Sequence, residues 1–199
     1  LTEAEIAQFV VAVYKNGMND IETKNLIDAM VSTGTRLKFE GRVADKHSIG
    51  GIAANRTTPI VIPICASTGL IMPKTSSRAI TSAAGTADVI ESIADVEFSA
   101  EQIEKIVHKV GACMVWGGSL GLSPADDKLI QVEKILSLDP KAQLLASVLS
   151  KKISVGSKYV LIDIPYGKSA KVDFKEAKIL KKDFEKFGKM FGLKLNCIL

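Results

Sequence analysis

The sequence predicts an α/β fold, and three observations carry that prediction. Capping boxes at Thr2/Glu5, Asn19/Glu22, Ser99/Gln102 and Asp173/Glu176 each precede apolar residues spaced for one face of a helix. Short strand-like runs at 42–45, 112–116 and 159–164 fall between those helices. Loops rich in glycine and hydroxyl residues separate them, as in layered α/β proteins.

In chain order, the first helix starts after Thr2, carries Ile6, Phe9, Val10, Val13 and Tyr14 on one face, and stops at Gly17. The second opens at Asn19, carries Leu26, Ile27 and Met30, and stops at Gly34, giving an antiparallel helical pair. A short strand at 42–45 runs into Lys46-His47-Ser48-Ile49-Gly50-Gly51, and 58–69 is an apolar helix or strand. Small and hydroxyl residues crowd 74–86, ahead of a helix at 87–93. The helix after Ser99, with Ile103, Ile106, Val107 and Val110 on one face, leads into the strand at 112–116. Ser123-Pro124 reads as an N-cap followed by Pro at the first helical position. The helix it opens breaks at Asp139-Pro140 and resumes through Leu144, Leu145, Val148 and Leu149. Residues 159–164 form a strand, Asp173 opens a lysine-rich helix ending at Gly192, and 193–199 begins a further strand.

Composition removes several function classes. With 199 residues, 47% of them apolar, and a formal charge of +4, disordered, collagen-like and coiled-coil architectures are excluded. The stretch 57–73 is broken by Pro59, Pro63 and Gly69 and is shorter than the roughly 20 apolar residues of a membrane span, so no membrane partner is expected. Leu1-Thr2-Glu3-Ala4-Glu5 lacks the basic start of a secretory signal, and Cys65, Cys113 and Cys197 are odd in number and widely spaced. Free thiols in a reducing cytoplasm are expected. His108 has no Cys or Asp at metal-ligand spacing, and neither a metal nor an organic cofactor is expected. Gly167-Lys168-Ser169 imitates the end of a Walker A loop, but Ile162 stands where its first glycine belongs. The lysines of the last helix are interleaved with Glu176, Asp183 and Glu185, which reads as a mixed solvated face and not a nucleic-acid surface.

Lys46-His47-Ser48-Ile49-Gly50-Gly51 directly follows a strand and combines two potential cations, a hydroxyl and glycine N–H groups able to close around an oxyanion. A Gly-rich turn with solvated Lys and His explains the same residues. A second loop, Lys74-Thr75-Ser76-Ser77-Arg78-Ala79-Ile80-Thr81-Ser82-Ala83-Ala84-Gly85-Thr86, adds hydroxyls and an Arg ahead of a helix and favours the phosphate reading. Ser147 and Lys151 lie four apart on one helix face, as a ligand-holding pair or a solvated one. Asp139 precedes Pro140 at a helix break, where a carboxylate caps the next helix or donates a proton in a cleft. Asp126 and Asp127, in the first turn of their helix, read as surface acids favoured by the helix dipole.

Together these loops resemble the thymidine/pyrimidine-nucleoside phosphorylase family. The residues carrying the resemblance are Asp45-Lys46-His47-Ser48-Ile49-Gly50-Gly51, the run 74–88, Leu122-Ser123-Pro124-Ala125-Asp126, and the segment from Leu136 through Asp139-Pro140 to Ser147 and Lys151. Within that family the chain is more similar to the AMP phosphorylase branch. The resemblance implies a discontinuous helical domain (1–38 and 122–154) beside an α/β domain (39–121 and 155–199) with a mixed sheet. It leaves out the family's small N-terminal domain and most of its C-terminal half, so an incomplete sheet is expected. The implied reaction is phosphorolysis: phosphate attacks C1′ of AMP, giving adenine and ribose 1,5-bisphosphate with no cofactor. Phosphate would be held by Lys46, Ser48, Gly50 and Ser76, with His47 beside them, and Asp139 would protonate the departing base. The AMP-branch pattern implies nucleotide contacts from Gly51, Ser77, Arg78, Ala79, Ile80, Thr81, Ser82, Thr86, Ser147 and Lys171, and the broader family's Ser–Lys pair adds Lys151. Arg78 and Lys171 would neutralise the 5′-phosphate. The pyrimidine enzymes carry an Arg shortly before that pair, where this chain reads Gln131-Val132-Glu133-Lys134. A pyrimidine-nucleoside phosphorylase is the first alternative, a non-catalytic nucleotide-binding fragment the second. The family also implies homo-oligomers built through the helical segments, for which Ile6, Phe9, Val10 and Val13 suit an interface as well as a core.

Overall fold

Reciprocal caps seed the helices that the sequence predicts. Thr2, Asn19, Ser99 and Asp173 each accept the N–H three residues on, and the Glu or Gln there bonds back to the cap N–H. The computed structural model describes residues 1–50, 52, 57–79 and 84–199. Along the chain run α1 (Glu3–Asn16), α2 (Asp20–Ser32), β1 (Ala44–Ser48), α3 (Thr58–Ser67), β2 (Met72–Ser76), α4 (Thr86–Glu91), α5 (Ala100–Val110) and β3 (Ala112–Trp116). A 3-10 turn at Gly117–Leu120 leads to α6 (Pro124–Leu136), α7 (Lys141–Ser154), β4 (Tyr159–Asp163), α8 (Phe174–Met190) and β5 (Lys194–Ile198).

The apolar faces of α1, α2, α6 and α7 meet in one core that also takes in β4 and α8, through Val160, Ile162, Leu180, Phe184 and Phe187. Ile6, Val10 and Val13 are 6%, 0% and 6% exposed, so these residues serve the core. Each fully buried aliphatic contributes roughly 1.5–3 kcal/mol. A second core around Leu37, Ile103, Val115 and Leu122 underlies α5 and β3.

β1 pairs with β4 and β4 with β5, while β2 pairs with β3. All these pairings are parallel, so the mixed character implied above is not present among the described strands. A bridge between Val43 and Ile71 stitches the two sheets together, setting β2 on one side of β1 and β4 on the other. The chain therefore leaves β1 toward β2 and β3, then returns across it to β4. In parallel sheets such a reversal opens a crevice at the carboxyl ends of the strands, where ligands bind. β1 and β4 flank it, ending at Ser48 and Asp163, and Ser76 ends β2 on the other side of β1 at the same carboxyl edge.

Three elements differ from expectation, the first being β2, which takes Lys74, Thr75 and Ser76 out of the expected loop and onto a strand beside β3. β1 covers Ala44–Ser48, two residues later than predicted, which moves Lys46, His47 and Ser48 from a loop onto a strand in register with Leu161, Ile162 and Asp163. The ambiguous apolar segment is α3, whose buried Ile62 packs with Ala44 and Met72. Ser123 is the N-cap residue of α6 with Pro124 opening the helix, as expected, but its hydroxyl makes no capping bond and donates to the Met30 carbonyl of α2 at 3.5 Å.

Candidate functional site

On the sheet side, β1 and β2 carry a buried group of charges. Asp45 is enclosed between Lys152 of α7, at 2.5 Å, and Lys74 of β2, at 3.6 Å. Lys46 donates to Thr57 Oγ1 at 2.6 Å and lies 3.4 Å from Asp163. Burial pushes the Lys74 ammonium down to about 7, helped by Lys152 and Lys46 and opposed by Asp45. Burial also holds His47 well below the usual imidazole range, with Lys152, Lys74, Lys151 and Lys46 adding repulsion. His47 is thus a neutral ring at pH 7, which corrects its reading as a cation. Thr75 Oγ1 and Ser76 Oγ are buried at the end of β2 with no hydrogen-bond partner among the described residues. Such orphans cost roughly 1–3 kcal/mol each unless a ligand or water satisfies them. Gly50, at φ +81, turns the chain just past β1, and its N–H points to Ser48 Oγ at 3.4 Å.

On the helical side, Ser147 and Lys151 of α7 do share a face, and both close on Asp126. Ser147 Oγ donates to Asp126 Oδ2 at 2.9 Å, and Lys151 Nζ lies 2.6 Å from the same oxygen and 3.2 Å from the serine hydroxyl. Asp126 is 1% exposed, so it is not the surface acid expected. The helix dipole argument found its position in the first turn but not the lysine arriving from another helix. Asp139 does not cap α7, whose N-cap is Pro140 without a side-chain bond. Its carboxylate is ion-paired with Lys171 and borders a cavity of about 300 Å³ that Tyr14, Met18, Leu145 and Phe187 also line.

Glu133 is a residue that the sequence reasoning passed over. It lies buried on α6, and burial pushes its carboxyl up to about 7, with Asp139 and Asp126 adding to the rise and Lys171 and Lys151 opposing it. Its one sequence signal is its place on the inward face of α6, beside Leu129 and Val132.

The loop after β2 is held by Asp88. The N–H groups of Ala79 and Gly85 both donate to its Oδ2, at 2.8 and 2.7 Å. Burial alone would raise this acid, but those bonds and Arg78 hold it below the usual carboxylate range. Gly85 is required there, because a Cβ would fall 2.3 Å from the Ser77 carbonyl oxygen. Arg78 is engaged by Glu91, Glu97 and Asp88 and lies 4.6 Å over the Trp116 ring, so its charge is already matched. Ser77 and Thr86 flank the same loop. Gly51, Ile80, Thr81 and Ser82 lie outside the described residues.

Comparison with known proteins places this geometry. The model of the family described as "Glycosyl transferase family, a/b domain" matches residues 40–172. The chain belongs to this family. It is 51% identical over 201 residues to the AMP phosphorylase of Natronomonas pharaonis, covering 100% of this chain and 40% of that protein. It is 53% identical over 194 residues to the AMP phosphorylase of Pyrococcus furiosus, covering 96% and 39%. The chain thus spans about two-fifths of the length of these curated relatives. In fold it resembles anthranilate phosphoribosyltransferase from Thermus thermophilus, with TM-score 0.67, 17% identity and coverage of 94% of this chain and 60% of that one. The enzyme of that name from Saccharomyces cerevisiae, solved with PRPP and Mg, gives 0.74 and 12%, covering 96% and 51%. No group of His, Cys, Asp or Glu suited to a metal occurs among the described residues, and none of their helices is long and apolar enough to cross a membrane.

Proposed function

We propose that the protein containing this chain catalyses phosphorolysis of AMP, with inorganic phosphate as co-substrate, releasing adenine and ribose 1,5-bisphosphate. The observation that carries the reading is the roughly half-identical match of the whole chain to proteins named AMP phosphorylase. The local chemistry supports it. Phosphate fits the carboxyl edge at the ends of β1 and β2, held by Lys46, Ser48, the Gly50 backbone and the unpartnered Ser76 hydroxyl, with Thr75 as a further donor. His47 stands beside it as a neutral hydrogen-bonding ring. Ser147 and Lys151 hold the nucleotide from the helical side. Asp139 meets the departing base, which must gain a proton because an anionic purine is a poor leaving group.

Lys171 and Arg78 are the cations for the 5′-phosphate, and each must exchange carboxylate partners for it. The exchange of Lys171 frees Asp139. Cytoplasmic location and assembly through the helical segments belong to the same proposal; the unpaired state of Cys65, Cys113 and Cys197 fits a reducing compartment.

The test is chromatographic. AMP, thymidine and uridine are each incubated with the full-length protein, with and without phosphate. Adenine released from AMP only when phosphate is present supports the reading; release of thymine or uracil in preference moves the assignment to a pyrimidine-nucleoside phosphorylase. AMP binding without release of any base would leave a nucleotide-binding protein.

A further inference from the structure

Three side chains on the helical side form a set of hydrogen bonds with one direction. Ser147 Oγ lies 2.9 Å from Asp126 Oδ2, and Lys151 Nζ lies 2.6 Å from the same oxygen and 3.2 Å from the serine hydroxyl. An ammonium has only donors and a carboxylate only acceptors. The single hydroxyl proton of Ser147 therefore goes to Asp126, one of its lone pairs accepts from Lys151, and the other lone pair is left over. Lys151 uses two of its three N–H bonds in the same way, and the third has no partner among the described residues. Asp126 is 1% exposed, whereas Ser147 and Lys151 are only partly buried, so a ligand reaches the serine and the lysine but not the acid. The pair presents one acceptor beside one donor. With Asp126 included the group carries no net charge, which suits a neutral base edge and not a phosphate.

We propose that Asp126 is a positioning residue that fixes the hydrogen-bond direction of Ser147 and Lys151 for reading adenine. Ser147 accepts a hydrogen bond from the exocyclic N6 amine, and Lys151 donates one to N1 beside it. The inference rests on the AMP phosphorolysis reading and names the base edge that the same site recognises. Adenine carries a donor next to an acceptor on that edge, the complement of what the pair presents. The spacing agrees. Asp139 stands just ahead of α7, and Ser147 lies six positions after Lys141, the first residue of that helix, an axial rise of about 9 Å. A purine covers that span when the nitrogen that takes the proton meets Asp139 and the far edge meets Ser147. Without Asp126 the serine hydroxyl is free to turn its proton toward the ligand, where it faces the N–H of the amine, and two donors do not bond. A purine that lacks the amine leaves the Ser147 acceptor unpaired and is rejected on that account. The buried acid thus governs base choice without touching the base.

The test compares two nucleotides on the full-length protein: AMP, and purine riboside 5′-monophosphate, which lacks only the amine. The ratio of their kcat/KM values is read, because it does not depend on how much of a variant is folded. In Ser147→Ala the parent's preference for AMP is expected to fall by about fivefold or more. Asp126→Ala is expected to lower it as far. Asp126→Asn still offers a carbonyl oxygen to Ser147 and Lys151, and is expected to keep the preference within about twofold of the parent's. A ratio that neither Ser147→Ala nor Asp126→Ala changes overturns the inference and leaves the function intact. Equal losses in Asp126→Asn and Asp126→Ala overturn it as well, since the charge of Asp126 and not its acceptor would then be what acts. A parent that releases no adenine from AMP and phosphate overturns the proposed function. Titration calorimetry with the same two nucleotides and the same variants then gives the ratio as binding constants, and a preference for AMP that Ser147→Ala does not lower overturns the base contact too.

Discussion

The sheet side and the helical side of the candidate site are charged in opposite senses. On the sheet side, Lys46, Lys74 and Lys152 meet Asp45 and Asp163, so cations outnumber acids among the described residues of this group. On the helical side, Asp126, Glu133 and Asp139 share Lys151 and Lys171, leaving an acid in excess. Both sets are largely shut away from water, so each relieves its surplus by giving up ionisation at one member. Lys74 is pulled down to about 7 and Glu133 is pushed up to about 7. The sheet-side excess matches the proposed chemistry, which needs positive charge where phosphate binds.

Removing the shared acid of the sheet side should have the largest effect. Asp45→Asn leaves Lys74 and Lys152 buried without their common carboxylate, and chemical denaturation should show a loss of about 3–5 kcal/mol. A loss below about 1 kcal/mol would mean that water reaches both lysines. On the helical side, Lys151→Met strands Asp126 with only Ser147 as donor, with an expected loss of about 2–4 kcal/mol. Adding Asp126→Asn to that variant should recover much of the loss, and a double-mutant cycle measures the coupling.

The surplus members sharpen the comparison through the sign of their pH dependence. Lys74 has its folded pKa depressed from 10.5 to about 7, so it destabilises the fold fully below about 7 and not at all above its unfolded value. Lys74→Met should therefore stabilise by about 1–3 kcal/mol at pH 6, with the gain fading as pH rises from about 7 toward 10.5. Glu133 has its folded pKa raised from 4.5 to about 7, so its penalty is absent below the unfolded value and complete above about 7. Glu133→Gln should be close to neutral at pH 4 and stabilising by about 1–3 kcal/mol at pH 8. Gains of the same sign of slope in both variants would break the comparison. The smallest effect belongs to Ser147→Ala, which removes one donor from Asp126 and should cost about 1 kcal/mol.

Much of the fold was legible in particular residues. Thr2, Asn19, Ser99 and Asp173 announce their helices because a reciprocal cap is a local interaction, complete within a few residues. The strand at 112–116 and the break at Asp139-Pro140 are equally local and stand where expected. β1 runs on through Lys46, His47 and Ser48, which are not strand formers, because parallel pairing with β4 makes them a strand. The segment that became α3 stayed ambiguous because a short apolar run fits either element until Ile62 finds Ala44 and Met72.

For the site, residue types and spacing along the chain determined the strand-end lysine, serine and glycine set, the Ser147/Lys151 helix face and the acid before Pro140. Tertiary structure alone decided which charge meets which: Asp45 with Lys152, 107 positions away, Asp126 with Lys151, and Asp139 with Lys171. It alone left Glu133 without an ion pair among the described residues, and it buried His47 and Lys74 beside further lysines, which holds both below their ordinary range. The physical reason is that ionisation depends on distance and dielectric, which packing sets, whereas sequence fixes only what each side chain is able to become.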